Sequence, residues 1–102
     1  MKIKKGDTVW GATLGWRGEE VVTGSVVVAS ATGKQIVLAE SGAAFAWGHR
    51  FDPSWAGKRL CLTKADAIRY LAEEERKKLE EAQRRTAVVD AALAAAEKEP
   101  TP

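Results

Sequence analysis

The chain has 102 residues, 45% of them hydrophobic, with sixteen Lys and Arg against fourteen Asp and Glu for a formal charge of +2. That is the length of one domain with enough apolar material for a core, and the near-neutral balance excludes the strongly basic signature of an electrostatic nucleic-acid binder. Charge is uneven, however: residues 1–62 hold eight Lys/Arg and five Asp/Glu, and residues 63–102 hold eight and nine, a mildly basic head on a mixed-charge tail.

Residues 1–62 alternate in hydropathy and break at glycines. In DTVWGATL a period of two puts Thr8, Trp10, Ala12 and Leu14 on one face. EEVVTGSVVVAS is rich in β-branched residues, with Val22, Val26 and Val28 on one face and Val21 and Val27 on the other. ATGK reads as a turn and KQIVLAE as a short strand; SG turns again into AAFAWGHRF, where Phe45, Trp47, His49 and Phe51 share a face. DPSWAGK is a loop and KRLCLT a last strand. Five short strands at this spacing, joined by glycine-bearing turns, predict a small barrel or sandwich.

From Thr63 the period changes. Thr63 is placed to accept from the amide of Asp66, a helix N-cap with an acid in the first turn. No Gly or Pro then appears until Pro100. One helix of about 35 residues would span about 50 Å, against about 20 Å for a six-residue strand, so half of it must leave the barrel, fold back or meet another molecule. Ala65, Ile68, Leu71 and Ala72, flanked by Tyr70, form the stripe expected to lie across the barrel. The middle is charged, with opposite pairs at Glu74–Lys78, Glu80–Arg84 and Glu81–Arg85. Val88, Val89, Ala92, Leu93 and Ala96 then restore an apolar stripe, and Ala72, Glu75, Leu79, Ala82, Thr86, Val89, Leu93 and Ala96 follow the 3/4 spacing of a coiled-coil seam, interrupted by Glu75 and Thr86. The alternative is a bend near Arg85–Thr86 that packs the stripe on the chain's own barrel. An interface is the expectation for Leu79, Val88, Val89, Leu93 and Ala96, with homodimerisation one form of it.

Catalytic patterns are missing. The sole histidine, His49, has no metal-ligand spacing around it, and no phosphate-binding, dinucleotide-binding or zinc-protease motif occurs. No enzyme activity, cofactor or metal is expected. The sole cysteine, Cys61 in RLCLT, allows no intrachain disulfide and fits a small buried hydrophobe. MKIKKGDTVW lacks the apolar stretch of a signal peptide and no window is apolar enough to cross a membrane; a cytoplasmic protein with no membrane partner is the default. Of the four tryptophans, Trp10 and Trp47 fall on apolar faces and are expected in the core, whereas Trp16 and Trp55 sit in Gly- or Pro-marked loops beside Arg17 and beside Lys58 and Arg59. Tryptophan beside a cation serves protein interfaces and base-stacking surfaces alike, and each loop tryptophan also fits a lid over the barrel end.

The opening KKGDTVWG…LGWRGEEVVTGSVV resembles the start of SH3-like barrels of the KOW kind: Gly6, Asp7 and Val9 match the first strand, Gly15 or Gly18 the loop, and Gly24 with Val26 the second strand. The basic loop cluster of many RNA-binding members is missing. RLCLTKADAIRYLAEEE, Arg59 to Glu75, is similar to an ending found in small phage proteins, which implies a phage or prophage accessory origin and a place in the host cytoplasm; several small phage proteins of this size block host defence complexes by binding them.

These readings predict an α+β, mainly β chain: a five-stranded SH3-like barrel over 1–62, one long helix over 63–98 with its proximal half on the barrel, and a disordered tail at 99–102. The function expected is a non-catalytic binding module acting through protein–protein contacts, such as a phage-encoded inhibitor of a bacterial defence complex. The alternative is a nucleic-acid-binding accessory protein. Trp16, Arg17, Arg50, Trp55, Lys58 and Arg59 are the candidate partner-binding residues in either case.

Overall fold

The computed structural model describes residues 2–99; the expected tail lies outside the described residues except for Glu99. Four strands, β1 (Thr8–Leu14), β2 (Val21–Ala31), β3 (Ile36–Leu38) and β4 (Arg50–Phe51), form one antiparallel sheet in the order β1-β2-β3-β4, followed by a single long helix, α1 (Lys64–Glu97). The class is α+β, as the change of hydrophobic period predicts.

β2 does the bending. Its first part pairs with β1, from Val21 opposite Leu14 to Val27 opposite Thr8, and its last part pairs with β3 after a register shift between Val28 and Ser30. An extra residue in one strand bends it and steepens the local twist, so one strand serves both halves of a curled sheet. The turns follow from their residues. Gly18 adopts φ +71° in the β1–β2 loop, where its amide donates to Gly15 O. Thr32 Oγ1 accepts from the amides of Lys34 and Gln35, a side-chain turn that starts the β2–β3 connection.

Beyond β4 the expected fifth strand is reduced to single rungs. Cys61 N donates to Trp10 O at 3.0 Å and Trp10 N donates to Cys61 O at 2.6 Å, while Leu60 bridges Ala56. The turn from Trp55 to Leu60 and the helix start at Lys64 leave no residues for a longer pairing. The sheet is therefore four-stranded and curled, with one further rung on the outer edge of β1.

The core is Ile3, Val9, Val26, Val28, Ile36, Leu38, Ala44, Phe45, Phe51 and Leu60. On β1 the inward set is Val9 and Gly11; Trp10 and Ala12 are half-buried, and Thr8 and Leu14 are exposed. The sequence therefore displays the outer face as the more apolar one, because Gly11 contributes nothing to hydropathy. That glycine is required sterically: a Cβ there would lie 2.7 Å from Ala44 O and 2.7 Å from the Phe45 ring. Gly24 pairs with it across the hairpin, and the two make a floor on which the short 3-10 turn Ala43–Phe45 rests.

AAFAWGHRF is not one strand. It is that 3-10 turn, then Ala46 and Trp47 at φ +53° and +62°, then β4 at Arg50–Phe51. Phe45 and Phe51 enter the core and meet edge to face at 6.3 Å, whereas Trp47 and His49 are exposed. Trp47 is thus corrected from core to surface, at 70% exposure. The left-handed pair reverses the chain between the two phenylalanines, which a period-two reading cannot represent.

α1 begins where its cap predicts: the Asp66 amide donates to Thr63 Oγ1 at 3.1 Å. Ala67 is the buried residue of its first turns, with Tyr70, Leu71 and Ala72 half-buried; Ala65 and Ile68 are exposed, a second correction. Leu60 points into the core and its neighbour Cys61, fully buried, to the opposite side of the extended chain. Two compact units result, Met1–Ala72 and Glu73–Pro102, divided inside the helix rather than at its start.

Candidate functional site

The six partner-binding candidates lie on two different elements. In the first, Asp52 accepts from Ser54 N at 2.9 Å and caps a 3-10 turn, Pro53–Trp55, whose first residue is pre-set by proline. Hydrogen bonding from the Ser54 amide, and secondarily from the Ser54 side chain, holds the pKa of this exposed carboxylate below the ordinary value. The turn lays Trp55 half-buried against the core. Gly57 at φ +81° then reverses the chain, with Lys58 N donating to Trp55 O and Gly57 N to Leu60 O. The reversal returns the Arg59 guanidinium to 5.5 Å from the Trp55 ring centroid and 5.6 Å from that of Phe51. Arg59 is half-buried by this double stack, a strap across Trp55 and Phe51 at the end of the sheet more than a free cation. Arg50 and Lys58 are exposed beside it.

The second element is the β1–β2 loop. Trp16 is 92% exposed and carries Arg17 over its ring at 5.3 Å. Next to it the cross-strand pair Leu14 and Val21 is also exposed. Glu19 and Glu20 line the same surface depression as Trp16 and Arg17, so carboxylates accompany the one cation there. No hydrogen bond, ion pair or ring contact among the described residues joins this pair to the Trp55–Arg59 stack. Sequence reasoning missed Trp47, whose only local signal is the bracket of Gly42 and Gly48. Its left-handed backbone is held by its amide donating to Gly42 O at 2.9 Å and by Gly48 N donating to Phe45 O at 3.0 Å.

The helix candidates are exposed. Leu79, Val88, Val89 and Leu93 are 58%, 70%, 65% and 56% accessible, and Ala96 is exposed as well. α1 runs unbroken through Arg85 and Thr86, so the bend considered from sequence does not occur. The Thr86 hydroxyl donates to Ala82 O at 2.9 Å, four residues back, and is satisfied within the helix. Of the expected ion pairs, Glu81–Arg85 forms; Glu74 pairs with Lys77 and Glu75 with Lys78, each three residues apart.

Chemistry offers less. No group of three His, Cys, Asp or Glu among the described residues is arranged to hold a metal ion. Burial raises the Cys61 thiol pKa, with the Asp66 carboxylate adding to the effect, and its Sγ donates to Lys58 O at 3.0 Å. A protonated, hydrogen-bonded, buried thiol is a poor nucleophile. No helix among the described residues is long and apolar enough to cross a membrane. Comparison with known protein families, with characterised proteins and with solved structures finds no match to this chain.

Proposed function

We propose that this protein is a non-catalytic binding module acting through protein–protein contacts, with the apolar face of the distal helix as its principal contact surface. One observation carries the reading: Leu79, Val88, Val89 and Leu93 are all more than half exposed on a continuous helix. Branched apolar side chains repeated at helical spacing are stabilising only when something covers them. The sheet unit serves as the folded base. Its reading as an SH3-like barrel is supported by the antiparallel order and by the Cys61 rung on the outer edge of β1, where a fifth strand would close such a barrel. If the resemblance of Arg59–Glu75 to phage accessory proteins holds, the sharpest form of the proposal is a phage-encoded inhibitor that occupies a bacterial defence complex in the host cytoplasm.

The second reading, nucleic-acid binding, draws on the exposed Trp16 with Arg17 stacked over it. Glu19 and Glu20 in the same depression oppose phosphate contact, and Arg59 is already engaged with two rings. The test is capture of partners from a bacterial lysate by wild type and by Val89→Glu/Leu93→Glu, with and without nuclease. Capture that survives nuclease and is lost in a double variant whose sheet unit still melts normally supports the helix as the contact. Nuclease-sensitive capture unaffected by the variant overturns it in favour of nucleic acid.

A further inference from the structure

The distal helix specifies its partner more closely than exposure alone does. Taking Leu79, Thr86 and Leu93 as one set of seam positions and Ala82, Val89 and Ala96 as the other, the stripe presents alternating large and small residues. Two copies side by side in the same direction would stack leucine on leucine and alanine on alanine, forcing the helices apart at one layer and leaving a gap at the next. Two copies in opposite directions, with Leu79 opposite Ala96, Ala82 opposite Leu93 and Thr86 opposite Val89, set one large residue against one small residue in both leucine layers, with two β-branched residues of similar size between them.

The flanking charges agree with that register. Arg76, Gln83, Asp90 and Glu97 follow the seam on one side. In the antiparallel pairing Arg76 of each copy faces Glu97 of the other, and Gln83 faces Asp90, so the two-fold generates each attractive pair twice and opposes no like charges on that side. The same-direction alternative leaves Arg76 and Glu97 without charged partners across the seam.

Both interruptions of the pattern are also accommodated. Glu75 lies one layer outside the overlap. Thr86 enters the seam with its hydroxyl already bonded to Ala82 O, so burial strands no polar group. Val88 lies about 130° round the helix from the seam's centre and stays outside it.

We infer that the protein self-associates through Leu79–Ala96 of α1 as an antiparallel two-fold helix pair in this register. The inference rests on the distal helix being an interface, and it names a second copy of the chain as the occupant. An overlap of eighteen residues is about 27 Å long, and a strip of that length on helices about 10 Å wide falls in the class below about 1,200 Å² of buried surface that marks weak association. A dissociation constant on the order of 10⁻⁵–10⁻³ M is expected.

Sedimentation equilibrium on the full chain up to about 1 mM tests this, with Arg76→Glu, Glu97→Arg and the double reversal. Each single reversal should weaken the dimer roughly 3- to 30-fold, since exposed ion pairs are individually weak and each is lost twice; the double reversal should recover most of the loss. An independent measurement mixes chains carrying Gln83→Cys with chains carrying Asp90→Cys under mild oxidation. The antiparallel register predicts an excess of the mixed disulfide, with buried Cys61 as unreacting background. A dimer without charge rescue, or without excess mixed disulfide, overturns the antiparallel register but leaves an interface on this helix. A monomer throughout overturns self-association, and the lysate capture then decides separately whether the helix has another partner.

Discussion

Gly11→Ala tests whether the fold depends on a bare backbone beneath Phe45. The added Cβ would meet Ala44 O at 2.7 Å, the Phe45 Cε1 at 2.7 Å and its Cδ1 at 2.9 Å, distances that real methyl groups do not tolerate. Neither neighbour is free to yield: one is backbone, and the other is a ring 1% exposed inside the core cluster. Overpacking of this kind costs about 1–3 kcal/mol, offset by about 0.4–1 kcal/mol from the reduced freedom of the unfolded chain when glycine is replaced. A net loss of about 1–2 kcal/mol corresponds to a fall in Tm on the order of 5–15 °C for a unit of this size. Thermal melts should be followed by near-ultraviolet circular dichroism, which reports the aromatic environment of the sheet unit rather than the helix. Two controls bracket the result. Gly24→Ala, whose Cβ would approach the Ala44 methyl at 3.3 Å, should lose less, and Gly33→Ala, which meets nothing within 4 Å, should be neutral or slightly stabilising. Equal Tm values for Gly11→Ala and Gly33→Ala would refute the close packing of Phe45 on β1.

Thr63→Ala removes the cap of α1 and should lower stability by about 1 kcal/mol, with Thr63→Ser recovering most of it by thermal melt; an unchanged melt would mean the cap contributes nothing. Asp52 has a pKa held below its ordinary value by the Ser54 amide, so its contribution is present above the ordinary carboxylate range and is lost as pH falls through the depressed value. Melts from pH 5 to pH 2 should show this acid-side component, and Asp52→Asn should abolish it; an identical profile for the variant contradicts the assignment. Cys61, with its thiol pKa raised by burial and by Asp66, favours its protonated form in the folded state, a contribution present below the ordinary thiol pKa and lost as pH rises through the raised one. It should stay unreactive toward a disulfide reagent at pH 8 until the chain is unfolded; rapid labelling of native protein would place it at the surface.

What was legible in the sequence was local. The cap at Thr63 needs only a hydroxyl three residues before an amide, and the β1–β2 hairpin needs only two alternating runs around glycines. The choice of inner face on β1 was not legible, because Val9 and Gly11 face inward only once Phe45, more than thirty residues later, has a place to rest. The same long-range demand explains the rotation of the α1 stripe. Ala67 is the fully buried residue of the early helix while the larger Ile68 stays partly exposed, and a small side chain at the contact permits the closer approach.

The loop tryptophans show how one local pattern reaches two outcomes. Trp16 and Trp55 each sit in a short loop beside a basic residue, and composition gives no ground to separate them. The difference lies in what precedes each. Asp52 and Pro53 commit the chain to a capped 3-10 turn that carries Trp55 against Ile36 and Leu60's cluster, where Arg59 seals it. Before Trp16 stands only Gly15, whose amide donates to Glu20 O and closes the loop without turning the indole inward. Trp16 instead stays almost wholly in water beside exposed Leu14 and Val21, an apolar tip at the opposite end of the sequence from the distal helix and independent of the seam proposed there.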